Sequence, residues 1–247
     1  MERLNLAGVR DYVNKNICIF HQSKLKILET LKLKDILKKK NLYLFRAKNI
    51  TLASDLISNI LDAFLSSSEE KLFGDFLEQF AVFISGETCG GRKSAATGID
   101  LEFSNNDTRY LVSVKSGPNW GNNAQQNKQQ QDFQIAVRVL KQTNRKLNVQ
   151  PVLGICYGRV KTTFLRGYMK VTGQNFWYFI SGNENLYIDI VEPLGFRAKQ
   201  HNDVFVKQKG KIINSFTQEF MAEFCDNGEI DWKKLVKFNS GNLDLKK

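Results

Sequence analysis

Two apolar, β-branched runs lie on either side of a short polar cluster, and this arrangement constrains the fold of the chain more than any other stretch. The runs cover residues 98–103 and 109–117, and the four residues Ser104-Asn105-Asn106-Asp107 lie between them. Residues of this polar kind suit turns. The stretch therefore predicts a β-hairpin with a four-residue connection.

Charged side chains lie at the open end of this predicted hairpin. Side chains alternate between the two faces of a strand, so Asp100 and Glu102 share one face of the first strand. Ser113 and Lys115 share one face of the second strand for the same reason. With a four-residue connection, we expect Asp100 opposite Leu111 and diagonal to Ser113, with Lys115 one step further along. The arrangement indicates either a solvated surface salt bridge or a metal-dependent phosphodiesterase site.

The residue types at this end suit the chemistry of phosphodiester hydrolysis. That reaction uses a metal ion to hold the phosphate and activate water, and it needs positive charge to stabilise the oxyanion that forms. Asp100 offers a hard oxygen ligand for Mg²⁺, and Lys115 can orient or deprotonate the attacking water. Glu78, on a helix predicted just before the hairpin, is a candidate second or water-mediated carboxylate. Its alternative interpretation is a surface glutamate.

Composition narrows the class of protein and its partners. The 247 residues are 42% hydrophobic, which is typical of a globular chain that buries a sizeable core, and the formal net charge of +11 favours a polyanionic partner such as nucleic acid. The four cysteines form no CxxC pair, and with only two histidines no zinc-site spacing appears. We expect reduced thiols in the cytoplasm, because neither an export signal nor an apolar run long enough for a membrane span is present.

The periodicity of apolar residues predicts an α/β fold with a mixed central β-sheet flanked by helices and a helical N-terminal region. Residues 1–65 are expected to be helical and Lys-rich, with a helical stretch over 24–40 and a separate helix over 53–65. Ser66, Ser67 and Ser68 are candidate N-caps of a further amphipathic helix over 69–84. Further predicted helices cover 124–143, 205–225 and 230–236, and predicted strands beyond the hairpin cover 149–157, 162–170 and 186–190. Arg92-Lys93-Ser94 is expected to form a basic loop just before the hairpin.

The spacing of the charged residues resembles a known family. Asp100, twelve intervening residues and then Ser113-Val114-Lys115 resemble the PD-(D/E)XK nuclease superfamily, whose core hairpin carries Asp and (Asp/Glu)-x-Lys. With the downstream segments at 173–177 and 193–195, the chain looks like a type II restriction endonuclease. This resemblance implies a single endonuclease domain over 1–247, made of the N-terminal region 1–65, a restriction-endonuclease-like catalytic core over 69–160 and a completing region over 161–247. It further implies Mg²⁺, double-stranded DNA as substrate, a homodimer, and a cognate DNA methyltransferase in the same restriction–modification system.

Two residues depart from the family pattern. Ile99 stands where a proline is usual, which is a mild variation. Ser113 stands where the second acidic residue is usual, and serine is a poor metal ligand. Glu102, Glu78 and the backbone carbonyl of Val114 are the candidates to complete the metal site.

Polar and basic residues around the predicted site are candidates to bind DNA, because amide side chains can pair with adenine or contact phosphates. These candidates are Arg92, Lys93, Asn119, Trp120, Asn122, Asn123, Gln125 and Gln126. A surface turn followed by a solvated polar helix explains the same amides without DNA.

Three other functions stay open at this point. One is a structure-specific or repair nuclease of the same fold, and another is a DNA-binding module that has lost catalysis, which Ser113 motivates. The third is a protein-interaction domain unrelated to nucleic acid.

Overall fold

The computed structural model describes residues 1–244 as an α/β fold with a mixed six-stranded sheet and flanking helices, which confirms the predicted fold class. The helices are α1 Leu6–Thr30, α2 Leu33–Lys39, α3 Leu42–Ala47, α4 Ala53–Cys89, α5 Asn123–Thr143, α6 Gln174–Ser181, α7 Leu186–Asp189, α8 Val191–Leu194, α9 Ala198–Phe224 and α10 Trp232–Ser240. The strands are β1 Arg92–Lys93, β2 Leu101–Asn105, β3 Thr108–Lys115, β4 Asn148–Ile155, β5 Thr163–Leu165, β6 Tyr168–Thr172, β7 Cys225–Asp226 and β8 Glu229–Ile230.

The central sheet has the strand order β1-β2-β3-β4-β6-β5. Strands β1, β2 and β3 pair antiparallel, whereas β4 pairs parallel to both β3 and β6, and β5 closes the edge antiparallel to β6. The parallel β3–β4 pair needs a crossover, which α5 supplies. The C-terminal ends of β3, β4 and β6 therefore lie side by side, with Lys115 paired to Ile155 and Ile155 paired to Thr172.

The chain divides into two compact units. A sheet unit consists of Met1–Ile19 and Phe73–Phe196, and a helical unit consists of Phe20–Leu72 and the chain from Arg197 onwards. The single endonuclease domain over 1–247 stays a prediction.

The sheet unit has a core on each face of its sheet. On one face, apolar residues of α4 and α6 such as Phe80 and Trp177 pack with Val112 and Val152. On the other face, Phe133 of α5 packs with residues of the sheet strands. Because burying one large apolar side chain stabilises a fold by about 1.5–3 kcal/mol, this double layer fixes the sheet between its helices.

The helical unit has its own core, formed by Leu37 of α2, Leu61 of α4 and Phe220 of α9 together with their apolar neighbours. Among residues 1–244, none of the helices combines the length and the apolar character that crossing a membrane requires.

The predicted hairpin is present, but its turn is shorter than expected. Only Asn106 and Asp107 form the turn, and both have positive φ, at 46° and 58°. This is the backbone of a two-residue turn that matches strand twist, and asparagine and aspartate tolerate it. Leu111 therefore pairs with Glu102, so the predicted pairing of Asp100 with Leu111 is wrong by two residues. Because the shift is even, every side chain keeps its predicted face.

Helix α4 is continuous from Ala53 to Cys89, so the predicted break at residues 66–68 is wrong. The hydroxyls of Ser67 and Ser68 donate hydrogen bonds to the carbonyls of Ala63 and Phe64, four residues earlier, at 3.1 Å each. The hydroxyl groups of these two serines are thus hydrogen-bonded within the helix, and they do not cap a helix start.

Several smaller predictions need correction. The expected strand over 186–190 is helix α7, and the expected strand over 162–170 is an antiparallel pair, β5 and β6, joined at Arg166 and Gly167. The helical stretch over 24–40 ends at Thr30 and resumes at Leu33. The expected basic loop at 92–93 is the edge strand β1.

Candidate active site

Asp100 lies directly before β2, at the end of the hairpin. Its backbone N–H donates to the carbonyl of Val112 at 2.9 Å, which continues the β2–β3 register and places Asp100 opposite Ser113. Its Oδ2 accepts a hydrogen bond from the N–H of Val114 and lies 3.2 Å from the Ser113 hydroxyl oxygen. In the described part of the chain, hydrogen bonds reach Oδ2 and none reaches Oδ1. One carboxylate oxygen is thus fixed by the protein and the other is available to a ligand.

Lys115 is the last residue of β3 and lies beside that carboxylate. Its Nζ is 3.9 Å from Asp100 Oδ2 and 5.6 Å from the centre of the Trp120 ring. The side chains of Lys115 and Asp100 are only 27% and 19% exposed. Partial burial reduces the screening that weakens surface pairs, so this charge pair is held more firmly than a solvated one.

Glu78 faces the same pair from α4. Burial raises the pKa of the Glu78 carboxyl above its usual value, the negative charge of Asp100 raises it further, and Lys93 and Lys115 oppose the shift. Lys93 Nζ lies 3.9 Å from Glu78 Oε1. The structure therefore brings Glu78 close enough to Asp100 and Lys115 for their charges to interact.

Glu102 has a different environment. Its Oε1 lies 3.0 Å from Arg92 Nε and 2.8 Å from an Arg109 guanidinium nitrogen, and its side chain is 13% exposed. Two arginines thus balance the Glu102 carboxylate. Of the two glutamates predicted to complete the metal site, Glu102 is paired with two arginines, whereas Glu78 feels the charge of Asp100.

Sequence reasoning missed Gln129, which is buried beside Ser113. Its Oε1 lies 2.9 Å from the Ser113 hydroxyl oxygen, and its Nε2 donates to the carbonyl of Gly98 at 2.9 Å. Gln129 belongs to a run of polar residues that looked uniform. It nevertheless precedes the buried Phe133 and Ala136 by four and seven residues, which is the helical spacing that could have identified it.

Cys156 is buried and close enough to two of the carboxylates to feel their charge. Burial raises the pKa of its thiol, and the charges of Glu78 and Asp100 raise it further, so the thiol is neutral. The N–H of Cys156 donates to the carbonyl of Lys115 at 2.9 Å. Peptide groups alternate sides along a strand, so the Val114 carbonyl points away from β4, to the side on which its own N–H reaches Asp100.

Comparison with known proteins identifies the family. The family model described as "Type II restriction endonuclease EcoO109I" matches residues 7–202, which is most of the chain. The chain belongs to this family. The resemblance to a type II restriction endonuclease is thereby confirmed, and the protein is a nuclease, a hydrolase that acts on DNA. No match was found among curated proteins.

Several of the predicted DNA-binding side chains of the endonuclease already make local contacts. Asn122 and Gln125 bond each other's backbone N–H groups in a capping box at the start of α5. Gln126 Nε2 donates to the Gly121 carbonyl at 3.1 Å. The capping role is the simplest reason for an amide at 122 and at 125, and DNA contacts of these residues stay predictions.

Other candidates lie nearer the carboxylates. Trp120 contacts Lys115, and Lys93 faces Glu78, whereas Arg92 pairs with Glu102. Asn119 and Asn123 make no side-chain hydrogen bond within residues 1–244. A DNA role for all of these residues is likewise a prediction.

The donor set of the endonuclease suits a hard divalent ion. Within residues 1–244, no cluster of three or more His, Cys, Asp or Glu side chains is arranged to hold a metal. Asp100 Oδ1, a Glu78 carboxylate oxygen and the Val114 carbonyl are all oxygen donors. Mg²⁺ usually takes one or two protein carboxylates and keeps several waters, so this small oxygen set fits it.

Proposed function

We propose that this endonuclease hydrolyses phosphodiester bonds of double-stranded DNA at specific sequences, with Mg²⁺, within a restriction–modification system. The observation that carries the proposal is the position of Lys115 Nζ, 3.9 Å from Asp100 Oδ2, with the charge of Glu78 coupled to both. Asp100, Glu78 and the Val114 carbonyl would hold the ion. Bound Mg²⁺ supplies polarisation of a phosphate oxygen and acidification of a coordinated water.

Asp100 acts as an oriented ligand in this proposal. The N–H of Val114 and the hydroxyl of Ser113 both approach Oδ2, so the carboxylate cannot rotate freely and Oδ1 keeps one direction. Ser113 itself contributes position and no ligand charge.

Lys115 acts on the attacking water and on the phosphate. Its ammonium group can donate a hydrogen bond that orients the water, and its positive charge offsets the negative charge that develops on the phosphate oxygens. The pairing with Asp100 and the contact with the Trp120 ring hold the ammonium group at the end of β3.

Glu78 supplies the second carboxylate. Its raised pKa means that the carboxyl holds a proton more tightly than an exposed glutamate does, because burial and Asp100 disfavour its charged form. A bound divalent cation would offset that penalty by its positive charge. Glu78 can accept a proton from a neighbouring water, and it takes the place that the missing acid at Ser113 leaves open.

We further propose that two copies of the chain act on the two strands, because a two-fold protein matches a palindromic site. A cognate DNA methyltransferase would protect the host sequence, and both proteins would work in the cytoplasm.

Cleavage of plasmid or phage DNA with Mg²⁺ tests the proposal. Discrete fragments are expected. A random smear would instead favour a structure-specific or repair nuclease. DNA binding without cutting, in Mg²⁺ or Mn²⁺, would favour a module that has lost catalysis.

Variants of the two central residues test the assignment. Asp100→Ala and Lys115→Ala should each slow single-turnover cleavage by roughly 10²–10⁴-fold and leave most DNA binding intact, while Ser113→Ala is tolerated far better. Asp203→Ala and Lys141→Ala, at exposed positions, are matched controls that should cut normally. Cleavage by Asp100→Ala at the wild-type rate would show the assignment to be wrong.

A further inference from the structure

A buried glutamine contacts both of the chain segments that place Asp100. Gln129 is only 6% exposed. Its Nε2 donates to the Gly98 carbonyl at 2.9 Å, two residues before Asp100. Its Oε1 lies 2.9 Å from the Ser113 hydroxyl oxygen, which lies 3.2 Å from Asp100 Oδ2. One amide therefore touches the loop that carries Asp100 and the hydroxyl that touches its carboxylate.

The orientation of the Gln129 amide is fixed by chemistry. The carbonyl of Gly98 can only accept a hydrogen bond, so the NH₂ group must face it and Oε1 must face Ser113. Ser113 has a single hydroxyl proton, and both Gln129 Oε1 and Asp100 Oδ2 can accept it. The hydroxyl is thus held between the amide and the carboxylate, and its rotation is restricted.

A second residue of α5, Asp132, also packs closely against Gly98. Gly98 has φ +73°, and a Cβ there would come within 2.6 Å of Asp132 Oδ2. Asp132 is one turn from Gln129 on the same helix. The loop therefore has little freedom to move against α5, and a change at Gln129 is transmitted to Asp100.

Packing alone does not explain a glutamine at this position. Ala136 and Phe133, on the same face of α5, are buried among apolar side chains, so a methionine or leucine would fill the space at 129. A buried amide is costly unless its polar ends are bonded, and here both ends contact polar atoms of the hairpin. Position 129 therefore requires the hydrogen-bonding groups of glutamine and not only its volume.

We propose that Gln129 is a positioning residue for the metal-binding carboxylate of Asp100, acting through the Gly98 carbonyl and the Ser113 hydroxyl. The inference rests on the function proposed above. Residues that orient a metal ligand typically change metal affinity about 10–100-fold when they are replaced. Gln129 would perform that task where the chain carries a neutral serine in place of an acid.

Binding of Mn²⁺ to the full chain without DNA, followed by electron paramagnetic resonance, tests the proposal without relying on cleavage. Gln129→Met should weaken Mn²⁺ binding about tenfold and slow Mg²⁺-dependent cleavage at subsaturating metal. Gln131→Met, the same change at an exposed position of the same helix, should leave Mn²⁺ binding unchanged. Thermal unfolding in a chelator checks that both variants are folded.

Ser113→Ala keeps the proposal testable if Gln129→Met does not fold, because it removes one hydroxyl from a strand without altering the backbone. It should weaken Mn²⁺ binding several-fold. Wild-type Mn²⁺ affinity in a folded Gln129→Met chain, or in Ser113→Ala where Gln129→Met does not fold, overturns the proposal.

The Asp100→Asn variant separates this inference from the proposed function. If wild-type protein binds Mn²⁺ and Asp100→Asn does not, the metal site stands, and only the Gln129 and Ser113 variants decide the positioning role. If the wild-type chain cuts DNA but binds no Mn²⁺ on its own, the inference fails alone; if it neither binds Mn²⁺ nor cuts DNA, the proposed function fails as well.

Discussion

Glu78 carries a conflict between stability and function. Burial and Asp100 raise the pKa of its carboxyl in the folded chain above its value in the unfolded chain. The unfolded chain therefore releases this proton more readily than the folded chain does. Protonated Glu78 contributes its full stability below the pKa of the unfolded chain, and this contribution is lost as the pH rises through the pKa of the folded chain. At neutral pH the ionised Glu78 destabilises the fold.

We expect Glu78→Gln to raise the melting temperature at pH 7 by at most about 2–4 °C, the shift that roughly 1 kcal/mol produces in a chain of this size. The gain should vanish below about pH 4, where glutamate is protonated in both states. Cleavage by the same variant should fall, because the proposed second carboxylate ligand is lost. Thermal scans and a plasmid assay measure the two effects.

Two other glutamates serve as controls for the Glu78→Gln variant. Glu87→Gln, at an exposed position of the same helix, should change neither quantity. Glu102→Gln should lower the melting temperature, because Arg92 and Arg109 lose their partner, and should affect cleavage less than Glu78→Gln. A larger loss of cleavage in Glu102→Gln would assign the second carboxylate to Glu102.

The sequence predicts those parts of the candidate site whose positions depend only on strand geometry. Asp100 and Lys115 lie on one face because side chains alternate, whatever the length of the turn. Gln129 was hidden because a run of glutamines gives no contrast between its buried and solvated faces. Glu102 differs from Glu78 in being paired with Arg109 of the neighbouring strand β3. The local sequence around Glu102 does not predict that contact.

At the scale of whole elements, α4 offers a clear test of its continuity. The hydroxyl of Ser67 is exposed and bonds the carbonyl of Ala63 within the helix. We expect Ser67→Ala to stabilise the chain by up to about 0.5 kcal/mol, because alanine is the better helix former. Were a helix to begin here, the same change would cost about 0.5–2 kcal/mol. Denaturant unfolding distinguishes the two signs.

Asp231 provides the comparison for that test. Its side chain accepts from the Lys234 N–H at 2.9 Å and caps α10. Asp231→Ala should therefore destabilise by about 1 kcal/mol. Loss of stability in both variants would contradict a continuous α4.

Elements with long, regular patterns were predictable from sequence. Helix α5 was expected over 124–143 and is Asn123–Thr143, because its apolar residues repeat with helical spacing. The break in α4 was wrongly expected because serines favour caps, and packing of the helix overrode that local preference. Residues 186–190 were misassigned because so short an apolar run has no distinguishable period.

At the scale of the molecule, the helical unit contains two stacked histidines. The rings of His21 and His201 stack with their centres 4.4 Å apart. Burial lowers the pKa of His21, and the positive charges of His201 and Lys24 lower it further, against a smaller opposing effect of Glu69. The unfolded chain therefore binds this proton more readily than the folded one does.

We expect wild-type stability to fall as the pH drops below about 6.5, the ordinary histidine pKa, and to be retained above it. His21→Gln should lose less stability on acidification. Guanidinium unfolding at about pH 7.5 and about pH 5.5 measures the difference. Gln22→Ala, the exposed neighbour, should behave as wild type. An equal loss in His21→Gln and wild type would contradict this prediction.

The net charge of +11 predicts strongly salt-dependent DNA binding. If the protein contacts six to ten phosphates, raising the salt concentration from 50 to 200 mM would lower its DNA affinity by about 10³–10⁵-fold. Fluorescence anisotropy with a labelled duplex measures this, and melting curves over the same range confirm that the protein stays folded. Binding that ignores salt would argue against a phosphate-contacting surface.

The neutral residue at 113 also affects how the chain approaches DNA. Asp100 and Glu78 contribute two negative charges, and Lys115 and Lys93 contribute two positive charges close by. With a serine at 113 the site carries one carboxylate fewer than the family pattern has, so it repels a phosphate less than a site with an acid there. We expect this enzyme to engage and scan DNA whether or not its proposed metal is bound, so that searching and cutting are governed by separate events.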